Sequence, residues 1–325
     1  MKIKQLSEID PEQANIEYVN LTNMCYGSTP DFVDRVFIKK HFQNSFGQSY
    51  GCWIYEGNEL IALNLFMCWE FIFGGEVIKA AQSVDSLVHP DYQGRGLFRK
   101  VQETCMEMIP SDVVRFGFPN GMSKPCFLKF GWKLSERYLT KIYPISWFKF
   151  AHKRYFLNQK NFKLQPAYSN QEFTESQEQI DRFFEVLTKQ FNMTNFSFEL
   201  LVWKLSLDKN LRVRLFKHDS VIIALLVYSI QHMDNYSLLG ISDLLKLPDG
   251  KFQPLIKKEI KQLIREKAID EVQYSGSNHE FLGELFKAVK STSGDMIIHP
   301  HYGNKDDLDA IEYSMQISKF VTDHM

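Results

Sequence analysis

The chain has 325 residues, of which 44% are hydrophobic and 14% aromatic, and its 38 basic residues nearly balance 39 acidic ones. This composition excludes a disordered chain, and the length favours two domains that each bury a core. A net charge of −1 argues against a surface built for nucleic acid or for an anionic membrane.

The N-terminal sequence MKIKQLSEIDPEQ lacks the apolar core of a signal peptide. The longest apolar run, at about 221–228, is far shorter than the roughly 20 residues that span a bilayer. Five cysteines form an odd set without C-x-x-C spacing, so neither a disulfide framework nor a zinc knuckle is expected. We therefore expect a cytoplasmic protein.

The sequence of the first 80 residues predicts a helix followed by a strand and a long hairpin. Ser28-Thr29-Pro30 is typical of a helix start, with a capping hydroxyl and a proline in the first turn. A strand is expected at about 50–55, and a β-hairpin at about 60–80 that turns at Gly74-Gly75.

The next elements alternate between strands and helices. A strand at 83–89 ends before Pro90, and a helix is expected after Gly96, with a strand at 113–118 and a short helix at 122–130 behind it. The first of these helices places four apolar residues on one face at helical spacing. They are Leu97, Val101, Cys105 and Met108.

Three blocks of the first half recur in the second half in the same order. The paired blocks are 53–63 with 214–224, 83–87 with 241–245, and 116–120 with 274–278. The offset is 161 residues for the first pair and 158 for the others, and it aligns Asp85 with Asp243. Such a regular offset predicts a duplicated unit, with domains at 1–145 and 165–325. The alternative is two unrelated segments rich in strands.

The segment at 146–164 that connects the two predicted domains is basic and aromatic. Between Trp147 and Lys163 it holds five lysines and arginines, six aromatic residues and no acid. A flexible linker would be rich in Gly and Ser, so we expect this segment to pack across both units. A basic-aromatic run can also bind nucleic acid, which the balanced total charge disfavours.

The second domain is expected to repeat the order of the first. Its counterpart helix, at about 254–267, carries lysines on a solvated face and apolar residues on the other. The apolar residues are Leu255, Ile256, Ile260, Leu263 and Ile264.

The loop after the strand at 83–89 is the most informative segment. Gly94 and Gly96 allow the backbone to approach a ligand, and they stand where a helix leaves its first N–H groups unpaired. This arrangement suits a phosphate or pyrophosphate. Neither a Gly-Lys-Ser/Thr sequence nor the three-glycine dinucleotide fingerprint is present. A bare G-x-G is also typical of an ordinary turn.

Two motifs resemble those of the GNAT superfamily of acyl-CoA-dependent N-acyltransferases. The segment 93–98, Gln-Gly-Arg-Gly-Leu-Phe, is similar to the family's Gln/Arg-x-x-Gly-x-Gly/Ala loop, with Phe98 at the usually small position. A later segment is similar to Asn-x-x-Ala/Ser-x-x-x-Tyr-x-x-x-Gly-Phe. Its matching positions are Asn120, Ser123, Phe127, Gly131 and Trp132.

The resemblance covers about 50–132 and reaches 212–290 through the repeat. It implies an α+β (mixed α/β) architecture of two tandem GNAT-like folds, each with a mixed, mostly antiparallel sheet flanked by helices. In the second domain 247–250, Leu-Pro-Asp-Gly, stands in place of the loop, which predicts that this copy has lost its pyrophosphate site.

The resemblance also implies acetyl-CoA, or another acyl-CoA, as co-substrate. The residues that it places at the cofactor are Leu87, Val88, His89, Gln93, Gly94, Arg95, Gly96, Leu97, Phe98 and Asn120. An amide near Leu87–Val88 would polarise the thioester carbonyl, and Asn120 would hydrogen-bond the pantetheine arm.

The resemblance places Phe127 where many members have a tyrosine that protonates the leaving thiolate. Phe127 donates no proton, so another group or water does so, or the thiolate leaves unassisted.

Asp85 is the candidate catalytic residue, because an amine nucleophile must lose a proton to a base, directly or through a water. Alternatively it braces the strand, as Asp243 would in the second domain. His89 is either at the mouth of the site or an ordinary surface histidine. The Ser86 hydroxyl either orients substrate or satisfies a backbone group.

No metal site is expected, because His299 and His301 have no third ligand nearby in the sequence. No G-x-S-x-G elbow is present, and Cys126 has no evident partner base. Four aromatic residues on the predicted strands belong either to the core or to the acceptor side of the cleft. They are Tyr50, Trp53, Trp69 and Phe71.

These features predict an N-acetyltransferase that moves an acyl group from acetyl-CoA directly to a primary amine. Resemblance to tandem members suggests an amino sugar, free or nucleotide-linked, as the acceptor. The expected partner is thus a small-molecule amine, with neither nucleic acid nor membrane, and the protein is a monomer or a homodimer. The alternative is a non-catalytic acyl-CoA-binding or scaffold protein of the same fold.

Overall fold

The computed structural model describes residues 1–27, 31–135, 139–156, 163–164, 177–191, 193–208, 210–233, 236–276, 280–293 and 296–299. These residues form two compact units, one of 1–135 with 296–299 and the other within 139–293. The predicted helix start at 28–30 and part of the connecting segment, 157–162, lie outside the described residues.

The elements follow one another in chain order. Up to residue 135 they are β1 (Lys2–Gln5), α1 (Pro11–Tyr26), α2 (Asp31–His41), β2 (Tyr50–Glu56), β3 (Glu59–Phe73), β4 (Glu76–Val88), α3 (Leu97–Met108), β5 (Val114–Gly117), α4 (Lys124–Lys129) and β6 (Lys133–Leu134). The later ones are β7 (Leu139–Pro144), α5 (Trp147–Phe156), β8 (Lys163–Leu164), α6 (Gln177–Thr188), β9 (Met193–Thr194), α7 (Phe198–Leu207), β10 (Arg212–His218), β11 (Val221–Met233), β12 (Tyr236–Lys246), α8 (Gln253–Glu266), β13 (Glu271–Gly276), α9 (Glu280–Gly283), β14 (Lys290–Ser293) and β15 (Ile297–Ile298).

The first unit is built on a mixed sheet in the order β1-β2-β3-β4-β5-β15-β6. Among the described strands of this order, β4 and β5 pair in parallel with α3 as their crossover, and the other neighbours are antiparallel. The α3 face packs through residues such as Val101 and Cys105, and the opposite face packs against α1 and α2 through Tyr18 and Phe37. The expected α+β class and mostly antiparallel sheet are confirmed.

The pairing of β4 with β5 ends well before β4 does. The last paired residues are Ser83 and Gly117, whereas β4 continues to Val88. The two strands therefore diverge over residues 84–88. Within the described residues, no strand pairs with that edge of β4 beyond Ser83.

A β-bulge lies where the divergence begins. Across β3, Asn64 stands opposite Ser86 and Phe66 opposite Ser83, so β4 contains one residue more than β3 in this interval. A bulge of this kind breaks the alternation of side chains and re-aims one of them. The bulge explains why the Asp85 side chain points toward α1 and α2. By contrast, Ser83 and Ser86, which precede and follow it in β4, both contact Gln102 of α3.

The second unit has a sheet in the order β10-β11-β12-β13-β7-β14. Its parallel pair is β12 and β13, joined by α8, and their pairing ends at Ile241 and Tyr274 although β12 continues to Lys246. The β11–β12 register shifts because Val227 stands opposite Asp243 while the next residue stands opposite Ile241. The buried side of α8 matches the predicted apolar face at four of its five positions, Ile256, Ile260, Leu263 and Ile264.

Several predicted elements differ in extent. The strand expected at 83–89 is the end of one long strand, Glu76–Val88, which also forms the second arm of the hairpin. The compact units do not follow the ranges 1–145 and 165–325, because β7 lies in the second sheet and β15 in the first. The duplication itself stays a prediction.

In the part of the chain that the structure describes, no helix has both the length and the apolar character needed to cross a membrane.

Candidate functional site

The loop between β4 and α3 turns at two glycines whose backbone few other residues adopt. Gly94 has a φ of +77° and Gly96 a φ of +76°, in the left-handed region where a side chain is strained. A Cβ at either position would meet no atom within 4 Å, so the space beside both glycines is open. Gly96 is the N-cap of α3 and, as a glycine, has no side chain to cap the helix. The first turn of α3 can therefore receive an anion.

The side chains of the loop brace its own backbone. Gln93 Nε2 donates to the Val88 carbonyl at 3.3 Å, and Arg95 Nη2 donates to the Asp91 carbonyl at 2.9 Å. The Arg95 guanidinium also lies 4.8 Å from the centroid of the Tyr92 ring. These contacts hold the loop in shape. The cofactor contacts expected of Gln93 and Arg95 stay a prediction.

His89 belongs to this bracing and is buried, so it is no ordinary surface histidine. Its Nδ1 accepts the Asp91 N–H at 3.2 Å, and its Nε2 lies 3.6 Å from Glu59 Oε1. His89 thus fixes the short turn that leads into the loop.

The end of β4 orients its peptide groups in alternate directions. The His89 N–H donates to the Ile61 carbonyl of β3 at 2.9 Å. Because successive peptide groups of a strand face opposite edges, the Val88 N–H faces the edge from which β5 has diverged. The Val88 carbonyl on that edge accepts from Gln93 and from Cys25 Sγ at 3.4 Å.

Asp85 lies at the centre of a buried cluster that joins β4 to α1 and α2. Its Oδ2 accepts from Lys40 Nζ at 2.7 Å and from His41 Nε2 at 3.0 Å, and its Oδ1 accepts from Tyr18 Oη at 3.0 Å. The other ring nitrogen of His41 lies 3.0 Å from Ser49 Oγ. Three donors from two helices therefore surround one carboxylate.

The cluster keeps Asp85 ionised. Burial raises the pKa of this carboxyl, but the Lys40 ammonium and the His41 hydrogen bond outweigh that effect and hold the pKa well below its usual range. A carboxylate in this state is a strong hydrogen-bond acceptor and a weak base. The role of Asp85 as general base stays a prediction.

Sequence reasoning missed Lys40, His41 and Tyr18. One signal was available: Lys40 follows the apolar pair Val36 and Phe37 by one helical turn, so it occupies a position on the buried face of α2. A lysine is rarely buried there unless it has a charged partner.

Ser86 lies on the opposite face of the sheet from Asp85, in a polar network under α3. Its Oγ donates to Asn64 Oδ1 at 2.5 Å and accepts from Gln102 Nε2 at 2.9 Å. Its hydroxyl is therefore satisfied by side chains and not by a backbone group.

The second motif forms a turn and a short helix. Asn120 Oδ1 accepts the N–H groups of Met122 and Ser123 at 3.0 and 2.9 Å, which starts the turn before α4. Further along, Phe127 is buried and meets the Trp132 ring edge to face, with centroids 5.2 Å apart. Among the described residues, no three His, Cys, Asp or Glu side chains are grouped so as to hold a metal ion.

The strand aromatics belong to the core. Trp53, Trp69 and Phe71 are buried at 0–1% exposure, and only Tyr50 is half-buried. Three of the four candidates therefore do not line a cleft. The pair His299 and His301 is only half described, because residue 301 lies outside the described residues.

The turn that precedes α8 in the second unit contains a carboxylate. Asp249 accepts the Lys251 N–H at 3.0 Å and forms an ion pair with the Lys251 ammonium at 2.7 Å. A carboxylate thus stands before α8, where the first unit has two glycines.

Residues 10–135 match the family model described as Acetyltransferase (GNAT) domain, which is less than half of the chain. The fold and this match define an acyltransferase. More particularly, the first unit contains a match to a GNAT acetyltransferase domain, a family that uses acyl-CoA as co-substrate. Among curated proteins, none matches the sequence.

Solved structures share the fold at low sequence identity. A GCN5-related N-acetyltransferase from Kribbella flavida has a TM-score of 0.58 at 12% identity, over 91% of this chain and 71% of that one. One from Anabaena variabilis has a TM-score of 0.58 at 14% identity, over 91% and 72%. N-myristoyltransferase from Saccharomyces cerevisiae, with bound myristoyl-CoA, has a TM-score of 0.56 at 11% identity, over 100% and 86%.

Proposed function

We propose that the first unit transfers an acetyl group from acetyl-CoA directly to a primary amine. The observation that carries this proposal is the divergence of β4 from β5 after Ser83, next to an open loop at Gly94 and Gly96. The loop suits a pyrophosphate, and the uncovered edge of β4 suits the amide groups of an extended pantetheine arm.

The proposed contacts follow the path from the loop to the strand. The pyrophosphate is bound by backbone N–H groups at 94–98, and the arm lies along residues 84–88 with Asn120 on its other side. His89, Gln93 and Arg95 act by bracing the loop, because their side chains contact its backbone.

The proposed chemistry is a direct attack. The amine nitrogen attacks the thioester carbonyl carbon, the C–S bond breaks, and the Val88 N–H stabilises the developing oxyanion. Removing one such donor costs about 2.7–4 kcal/mol in other enzymes. Asp85 contacts the acceptor, since it is the carboxylate that the bulge directs to the other face of the sheet.

GNAT enzymes act on small-molecule or peptide acceptors. An amino sugar, free or nucleotide-linked, is proposed here on resemblance alone. We also propose that the second unit is a degenerate copy of the first. Its bulge at Ser242 lies next to Asp243, which is 158 residues after Asp85, and this supports duplication. The Asp249 carboxylate before α8 supports the loss of the pyrophosphate site.

Isothermal titration with acetyl-CoA tests the core of the proposal. The full chain should bind at sub-millimolar concentration, and Gly96→Glu should abolish binding because it places a carboxylate in the anion site. Gly75→Glu is the matched control, since Gly75 also has a positive φ and open space around it but lies in the β3–β4 turn. Absent binding, or equal binding by both variants, would contradict the proposal.

Turnover separates an enzyme from a binding protein. Release of the CoA thiol should be measured against a panel of primary amines, amino sugars and peptides. Phe127 offers no hydroxyl to the thiolate, so an active chain shows that this proton comes from elsewhere. Binding without thiol release on any amine would favour the non-catalytic acyl-CoA-binding protein.

A further inference from the structure

The two oxygens of Asp85 have different surroundings. Oδ2 accepts from both Lys40 and His41, which uses both of its lone pairs, whereas among the described residues Oδ1 accepts only the Tyr18 hydroxyl. One acceptor position on Oδ1 is therefore left for a further donor. Asp85 also keeps 13% of its side chain exposed, against 2% for Lys40 and 0% for His41. The cluster opens to solvent through the carboxylate.

We propose that Lys40 and His41 are positioning residues that hold Asp85 as an ionised hydrogen-bond acceptor, so that its Oδ1 orients the acceptor amine and takes no proton from it. The inference rests on the proposed function. It assigns roles to two buried side chains of α2, and it replaces the general base expected from sequence with an orienting carboxylate.

The geometry favours orientation over deprotonation. A proton on Oδ1 would neutralise Asp85 and leave the Lys40 ammonium buried without its counter-charge, which is costly. The low pKa of Asp85 points the same way. His41 does not take the proton from the amine directly, because its ring is fully buried and its two nitrogens face Oδ2 and Ser49 within the cluster.

Beyond His41 and Lys40, the described titratable groups near Asp85 supply no further base. Cys25 and Tyr26 lie near it at the end of α1, and burial raises the pKa of both, with the Asp85 charge adding to the effect at Tyr26. Both are therefore neutral near pH 7 and accept no proton from an ammonium ion.

The reaction balances without an enzyme base. The amine arrives neutral, its nitrogen forms the C–N bond, and the electron pair of the C–S bond leaves on sulfur. The proton lost from nitrogen ends on the CoA thiol, so a neutral amine and a thioester give an amide and a thiol. Asp85 contributes by holding one N–H so that the nitrogen lone pair faces the thioester carbonyl.

The test uses two primary amines from the panel that the full chain acetylates and whose ammonium groups differ in pKa. The low-pH limb of kcat/KM should move with the pKa of the amine. In Lys40→Met the pKa of Asp85 rises, because its counter-charge is gone, and the limb should become the same for both amines. Lys39→Met, at the exposed neighbouring position, is the matched control and should follow the wild type.

Asp85→Asn supplies the second readout, since it keeps an acceptor at Oδ1 but removes the basic group. It should lower kcat/KM about tenfold through the loss of one charge-assisted hydrogen bond. Loss of a general base would cost about 10²–10⁴-fold. The inference is overturned if the low-pH limb of the wild type is the same for both amines, or if Asp85→Asn lowers kcat/KM by about 10²–10⁴-fold. Either result leaves the proposed acyl transfer itself intact. Failure to acetylate any amine overturns the proposed function and this inference together.

Discussion

The rings of Phe98 and Phe127 meet edge to face, with their centroids 5.7 Å apart and their planes at 87°. At both positions the sequence departs from the motifs that it resembles: a small residue is usual at position 98 and a tyrosine at position 127. The two departures form one contact between the first turn of α3 and α4. The large Phe98 side chain is thus accommodated beside the loop because it packs against α4 and away from the loop.

This contact predicts energetic coupling between the two rings. Phe98→Leu and Phe127→Leu should each lower the free energy of unfolding, and the double variant should lose about 0.5–1.5 kcal/mol less than their sum. Urea unfolding of the four proteins measures the coupling. A control cycle pairs Phe98 with Phe42, which packs in the cluster on the other face of the sheet, and should be additive. Additivity in the first cycle would contradict the prediction.

Breaking the Lys40–Asp85 ion pair should lower the free energy of unfolding more when Lys40 alone is replaced than when both partners are. Lys40→Met leaves a buried carboxylate without its counter-charge and should lower the free energy of unfolding by about 3–5 kcal/mol. Lys40→Met with Asp85→Asn removes both charges and should recover part of that loss. Lys39→Met should be within about 0.5 kcal/mol of the wild type, as at other exposed positions. If the double variant is less stable than Lys40→Met alone, the ion pair is not what stabilises the cluster.

Local patterns predicted the elements that build the loop. The spacing of Leu97, Val101 and Cys105 gave the buried face of α3, and Gly94 and Gly96 marked a turn that needs positive φ. These features depend on a few neighbouring residues, so the sequence contains them. The fold class followed, and it is confirmed.

The cluster around Asp85 could not be predicted in the same way. Tyr18, Lys40 and His41 are 67, 45 and 44 residues away from it in sequence, and only the packing of α1 and α2 on the sheet brings them together. The membership of β15 in the first sheet was missed for another reason. A strand of two residues, Ile297–Ile298, is too short to show a period.

The ionised state of Asp85 predicts how stability changes with pH. Its pKa is lower in the folded chain than in the unfolded chain, where an Asp carboxyl has a pKa of about 3.9. The stabilisation is therefore present above that value and is lost as the pH falls from about 5 through it, because the unfolded chain then binds the proton more readily. Thermal unfolding between pH 3 and 7 should show a shallower decline for Asp85→Asn than for the wild type. Parallel declines would contradict this assignment.

Gly96 predicts a ranking of substitutions that depends on backbone angle alone. Its φ is +76° and a Cβ there meets no atom within 4 Å, so any cost comes from the left-handed conformation and not from a clash. Gly96→Ala should lower the free energy of unfolding by about 1–2 kcal/mol, and Gly96→Asn by less, since Asn tolerates this region.

Gly121→Ala is the control, because Gly121 has equally open space and a φ outside the left-handed region. It should change the free energy of unfolding by less than Gly96→Ala does. Acetyl-CoA titration of the same variants separates the effect of the backbone angle at residue 96 from the effect of the open space beside it. Gly96→Asn should keep more of the binding than Gly96→Ala, because the N–H groups of α3 keep their direction only while residue 96 stays left-handed. An equal loss in both variants would mean that the anion site depends on the space beside Gly96 and not on its backbone angle.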